Sequence, residues 1–258
     1  MNQWMTLLKK EMLEMTRNFK WIWVPIVFIL IAVQEPLTLY YLPQIIDSLG
    51  NLPEGAVFEM PVPSAKEVLV AVLSQFNTLG VLIIVLTTMG VISGERKSGV
   101  AGLILVKPVS YSSYVTAKWA GAMLLLWTVY FIGYIVSWYY VVILFESVPF
   151  VDFIQSFVMN GIWLSFVLTI SIFFNSIIKS PGVVGFLSIA TVIVLSFISS
   201  SLAQWLTWSP FMLSSYTSLF LMNEQLPTEL FPTLLVSIVT IITMLVGSVV
   251  ILRKRELV

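Results

Sequence analysis

From Val183 to Trp205 the chain carries no Asp, Glu, Lys or Arg. A helix of about 20 such residues crosses the roughly 30 Å hydrocarbon core of a bilayer with its backbone polar groups satisfied internally. Five further stretches are almost as poor in charge, and the six together predict an all-α integral membrane protein with six transmembrane helices. Composition agrees. Apolar residues make up 59% of the chain and charged residues 10%, with a mean hydropathy of +0.99. A soluble domain carries about a quarter charged residues. Six spans and their loops account for nearly all 258 residues, which leaves no room for a separate soluble domain of ordinary size. One transmembrane domain over residues 1–258 is expected: a leader (1–20), a bundle (21–252) and a tail (253–258).

The leader reads as an amphipathic interfacial helix rather than a cleaved signal, because it lacks a basic start, a following apolar run and a small-residue cleavage site. At 100° per residue Trp4, Leu7, Leu8, Met12, Met15 and Phe19 share one side, and Lys9, Lys10, Arg17 and Lys20 the other. Glu11 intrudes on the apolar side and Leu13 on the basic side. The expected spans are Trp21–Tyr41, Glu67–Ile92, Lys118–Phe145, Phe153–Phe174, Val183–Trp205 and Pro232–Leu252. Residues 206–231, broken by Pro210 and Pro227, suit a re-entrant or interfacial segment.

Lysine and arginine set the orientation. With both termini in the cytoplasm, every basic residue except Lys66 falls on the cytoplasmic side, 12 of 13. An odd number of spans would put basic segments on both faces. The expected place is therefore the cell membrane, crossed several times.

What the spans lack bears on mechanism. The sequence has no cysteine and no histidine, so thiol chemistry and the commonest zinc and copper ligands are excluded. No metal site and no catalytic residue is expected, and the chain is not read as an enzyme. Glu35 is the one clear acid inside the apolar stretches. An intramembrane acid is a functional candidate, but a bend at Pro36 that lets Glu35 meet water is the favoured reading. An ion-driven carrier needs buried acids or broken helices at the midplane, and an intramembrane hydrolase needs a nucleophile with a base or a metal. Neither set of parts is present, so uphill movement would draw its energy from a partner.

The segment after the second span is the most informative. Gly94, Glu95, Arg96, Lys97, Ser98 and Gly99 lead into the apolar run Leu103, Ile104 and Leu105, followed by Lys107, Pro108, Val109 and Ser110. Charges followed by a short apolar run suit a helix at the cytoplasmic surface, ended by Pro108. Such a loop could equally serve topology alone.

The run GERKSGVAGLILVKPVSYSSYVTAKW resembles the segment after the second span in permeases of ABC-2 type transporters. There a Gly-Glu-basic-x-x-Gly stretch precedes a leucine-rich turn, then Pro, Val and Ser or Thr, with a lysine opening the third span. The leader, six spans, large first outer loop and broken segment before the last span extend the likeness in outline to the whole chain. Gly99-Val100-Ala101-Gly102 stands where a Thr-Leu-Glu-like stretch is common, which weakens the middle of the match.

The resemblance implies that residues 94–106 form a cytoplasmic coupling helix that docks on a nucleotide-binding subunit. Glu95, Arg96, Lys97, Leu103, Ile104 and Leu105 would carry the contact, with Glu95 meeting a basic group of the ATPase or capping the short helix. The chain has no G-x-x-x-x-G-K-[ST] phosphate loop, so ATP and magnesium would bind a separate ABC ATPase. A second permease chain, identical or homologous, and the lipid bilayer complete the expected partners; nucleic acid is not among them. Residues 1–258 would then be one permease domain, exporting a peptide, lipid or amphipathic drug. The competing readings are a stand-alone secondary carrier or channel, and a membrane immunity or anchor protein. The substrate itself is not legible.

Overall fold

The computed structural model describes residues 3–48, 63–105, 109–223 and 226–256. Among these all regular structure is helical. Helix α1 (Gln3–Arg17) precedes α2 (Lys20–Ser48). Next come α3 (Ala65–Gln75), a π-helical turn (Phe76–Gly80) and α4 (Val81–Thr88). Two short helices follow, α5 (Ser93–Lys97) and α6 (Val100–Leu105), and then α7 (Tyr111–Leu144), α8 (Phe150–Ile177) and α9 (Pro181–Ser201). A 3-10 turn (Pro210–Met212), α10 (Leu213–Asn223) and α11 (Leu230–Glu256) complete the chain. Six helical stretches are long and apolar enough to cross a membrane, with α3 to α5 forming one of them, Ala65–Lys97.

The six expected spans are all found, with shifted ends. Span 2 begins earlier than Glu67 because Ser64 and Glu67 form a reciprocal capping box: the Ser64 hydroxyl accepts from the Glu67 N–H at 3.3 Å, and the Ser64 N–H donates to the Glu67 carboxylate at 2.7 Å. Span 3 begins at Tyr111, with Ser110 as its cap. Lys118 therefore lies two turns inside the helix rather than at its opening. Span 1 does not break at Pro36. Helix α2 continues through Pro25, Pro36 and Pro43, and Glu35 accepts a hydrogen bond from the Gln75 side chain instead of standing at a bend. Pro36 is buried in the bundle.

Helix α8 is the centre of the fold. It packs against α4, α7, α9, α10 and α11, and small polar residues such as Ser156, Ser165, Thr169 and Ser171 lie fully enclosed on it. Their hydroxyls bond to their own helix, as Ser165 does to the Gly161 carbonyl and Thr169 to the Ser165 carbonyl. Ser165 and Thr169 also receive indole N–H groups from α7, Trp127 at 3.1 Å and Trp119 at 3.0 Å. Residues 202–212 fold back into the bundle, where Phe211 packs edge-on against Trp163 and Phe166 of α8, with centroids 5.6 and 5.3 Å apart.

The Ala65–Lys97 stretch is interrupted after α4, where residues 89–92 form turns. Ile92 and Ser93 are fully buried there, and their freed backbone groups need partners. Asn175 of α8 supplies them. Its side-chain oxygen accepts from the N–H groups of Ile92 (3.2 Å) and Ser93 (2.9 Å), and its amide donates to the carbonyls of Thr88 (3.1 Å) and Ser171 (2.8 Å). All four side-chain bonds are buried. Asn175→Leu leaves the two buried N–H groups of Ile92 and Ser93 without partners, at about 1–3 kcal/mol each, while the Thr88 carbonyl keeps the Val91 N–H. Purified Asn175→Leu is expected to unfold at a clearly lower temperature than wild type. Ser248→Ala, which removes only a bond to the carbonyl one turn back in α11, is expected to leave the midpoint nearly unchanged.

Candidate functional site

Most basic residues gather at one end of the bundle, and α1, α5, α6 and the first turns of α7 meet there. Glu95, 10% exposed at its side chain, is the hub. It accepts from the Tyr114 hydroxyl at 2.6 Å and pairs with Lys118 at 3.0 Å. It also pairs with Lys10 of α1. Lys118 is 2% exposed, and its ammonium lies 2.8 Å from Glu11, itself 5% exposed. Lys10 also reaches Glu11 at 3.2 Å and Glu14 at 3.3 Å. Three carboxylates and two ammonium groups thus tie α1, α5 and α7 together. Glu11, Glu14 and Glu95 have oxygens within 4.8 Å of one another, a spacing that could suit a divalent cation. Lys10 and Lys118 occupy those oxygens and repel a further cation.

The close approach of α1 to α7 depends on Gly121, one turn beyond Lys118. A Cβ there would stand 3.3 Å from Glu11 Cβ and Met15 Cε, tighter than side chains normally pack. Trp4 adds an indole hydrogen bond to Thr116 at 3.1 Å.

Arg96, next to the hub, points the other way. Its guanidinium donates to the Ser176 carbonyl at 2.9 Å, and Arg255 donates to the neighbouring Ile177 carbonyl. The last carbonyls of a helix lack partners within it and carry partial negative charge, so two arginines from different elements close the end of α8.

The expected single helix over 94–106 is two helices. Gly99 separates them with φ +80°, a conformation costly to any residue with a Cβ, which gives the second glycine of the Gly-Glu-basic-x-x-Gly pattern its physical role. The helix N-terminus at Ile92 and Ser93 is satisfied by Asn175, not capped by Glu95. Beyond the bend Ala101 is buried and Ile104 half-buried, while Leu103 is 73% exposed. Lys97 is exposed. The Leu105 side chain, Val106, Lys107 and Pro108 lie outside the described residues. A groove of about 680 Å³, lined mainly by apolar atoms, runs between Leu7 and Lys10 of α1 and Leu103, Ile104 and Val109. Glu95 and Arg96 therefore face inward, and Lys97 and Leu103 face out.

Burial opposes the Lys10 charge. Its hydrogen bond to Glu95 and the charges of Glu11, Glu95 and Glu14 outweigh that cost and raise its pKa above the ordinary lysine value of 10.5. A raised lysine pKa stabilises the fold fully below the unfolded value, and the contribution is lost as pH rises through the higher folded value. Lys10 therefore adds no pH dependence near neutrality. Breaking a buried pair by removing one partner costs about 3–5 kcal/mol. Lys118→Met is expected to lower the unfolding midpoint sharply, and adding Glu11→Gln to recover much of the loss. Equal midpoints for Lys118→Met and wild type in a thermal melt would show the pairs to be unimportant.

Residues 5–257 match the model of a family described as ABC-2 family transporter protein. The chain is also similar to the uncharacterized transmembrane protein YxlG of Bacillus subtilis (strain 168), with 33% identity over 252 residues, covering 98% of each chain. With a match over nearly its whole length and six membrane-crossing helices, this multi-pass membrane protein belongs to the ABC-2 family of transporter proteins.

Proposed function

We propose that residues 1–258 form one permease domain, the membrane-spanning subunit of an ATP-binding cassette exporter. A separate nucleotide-binding subunit binds ATP and magnesium and hydrolyses the nucleotide. The permease works as a pair of identical or homologous chains and moves a peptide, lipid or amphipathic drug. Both termini, α5 and α6 are cytoplasmic, and α1 lies along the inner membrane surface. The basic asymmetry of the sequence supports this orientation.

One observation carries the reading. Helices α5 and α6 project an exposed leucine and an exposed lysine outward, while Glu95 and Arg96 fasten the same segment to α1, α7 and α8. A partner pushing on Leu103, Ile104, Leu105 and Lys97 therefore moves three other helices. Glu95 and Arg96 act in coupling from inside, as the anchors of the docking segment. The groove beside Leu103 suits an apolar side chain of the ATPase.

Two measurements check this. Leu103→Asp places a charge on an exposed position, so the permease is expected to insert and melt as wild type but lose ATPase binding and substrate-stimulated hydrolysis. Wild-type stimulation would remove α6 from the coupling contact. A cysteine at exposed Ser98 should be shielded in intact cells from an impermeant thiol reagent, and one at exposed Thr228 should react. The reverse pattern would invert the orientation.

A further inference from the structure

A second cavity borders the charge cluster at Glu11 and Glu14. It measures about 230 Å³ and is enclosed by α1, the first turn of α2, the end of α4 with its following turn, and the first residue of α9. Glu14, Asn18 and Lys20 form its polar wall, and Leu86, Met89 and Pro181 its apolar wall. Lys20 donates to the Thr87 carbonyl at 2.8 Å. Among the described residues no carboxylate comes within ion-pair distance of it. The charge cluster on the same wall has the opposite imbalance, since Glu11, Glu14 and Glu95 share only Lys10 and Lys118. Glu14 is the most exposed of the three acids, at 47% of its side chain. The cavity thus sets the Lys20 ammonium and the half-exposed Glu14 carboxylate on one wall, near enough to feel each other's charge and not joined in a direct ion pair.

Leu79, Leu82 and Leu86 are each exposed. At spacings of three and four they line one stripe of span 2, and the last of them borders the cavity. The narrow cleft deeper in the bundle, between Val24, Phe28 and Leu125, has room for about one water molecule at 20 Å³, so no acyl chain enters there.

We propose that this cavity binds the headgroup of a zwitterionic phospholipid from the membrane leaflet level with the basic end of the bundle. The phosphate sits at Lys20, the primary ammonium sits at Glu14, and an acyl chain lies along Leu86, Leu82 and Leu79. The headgroup site shares its Glu11 and Glu14 wall with the charge cluster, and it does not depend on which cargo the transporter carries.

Native mass spectrometry of the full-length chain in detergent tests it, with phosphatidylethanolamine, phosphatidylglycerol and soluble glycerophosphoethanolamine as probes. Wild type is expected to retain one phosphatidylethanolamine per chain, in preference to phosphatidylglycerol and to the soluble headgroup. Lys20→Met and Glu14→Gln each remove a charge-assisted contact and are expected to weaken retention about ten-fold. Lys9→Met, at an exposed position of α1 outside the cavity, is expected to retain the lipid as wild type does. Glu14→Gln keeps the test decisive if Lys20→Met does not fold. Undiminished retention in Glu14→Gln, equal retention of phosphatidylglycerol, or equal binding of the soluble headgroup would each overturn the proposal.

Discussion

Lys10 and Lys118 sit among Glu11, Glu14 and Glu95, and the arrangement of one whole end of the bundle depends on those contacts. Ions largely removed from water cost several kcal/mol apiece unless they find partners with good geometry. Helix α1 can dock on α7 only with its Glu11 facing Lys118, and α5 can turn back under the bundle only with Glu95 between the two lysines. Gly121 permits the approach and the ion pairs fix its register. Removing Lys118 leaves the buried Glu11 and Glu95 to share Lys10 alone and unties α7 from the other two elements, whereas the half-exposed Glu14 is the member whose loss costs least.

Asn175 does for the backbone what the cluster does for charge. The break between α4 and α5 frees the buried amides of Ile92 and Ser93, and one side chain of α8 answers both. Arg96 then closes the end of the same helix. Under the proposed coupling, α8 matters because it touches more of the bundle than its neighbours do. A displacement of α5 reaches it through bonds rather than through loose apolar contact.

The six spans were legible because each charge inside a bilayer costs energy, so their absence marks the helices directly. In the apolar run after the charges, the sequence pointed to Leu103, Ile104 and Leu105 alike; Leu103 is exposed, Ile104 is half-buried, and the Leu105 side chain lies outside the described residues. Glu11 shows where legibility stops. It stood out as a flaw in the apolar side of α1, and its partner lies 107 residues away. Periodicity finds such an intruder but cannot name what it meets. Asn175 fell in an unremarkable link between spans, because a backbone break satisfied by a distant side chain leaves no local pattern. Pro36 misled for the converse reason: neighbouring helices let a membrane helix absorb a proline without bending away. The polar link of Glu35 to Gln75 joins two spans and has no signature in either one.

The central claim is that α5 and α6 present an outward docking face while their charged anchors point into the bundle. Site-specific photocrosslinking in the assembled transporter tests it most directly. A benzophenone amino acid at Leu103 and at Lys97 should capture the nucleotide-binding subunit, and one at Thr228, at the far end of the bundle, should not. Failure of both inner positions to capture an ATPase that copurifies with the chain, or capture from Thr228, would contradict the account.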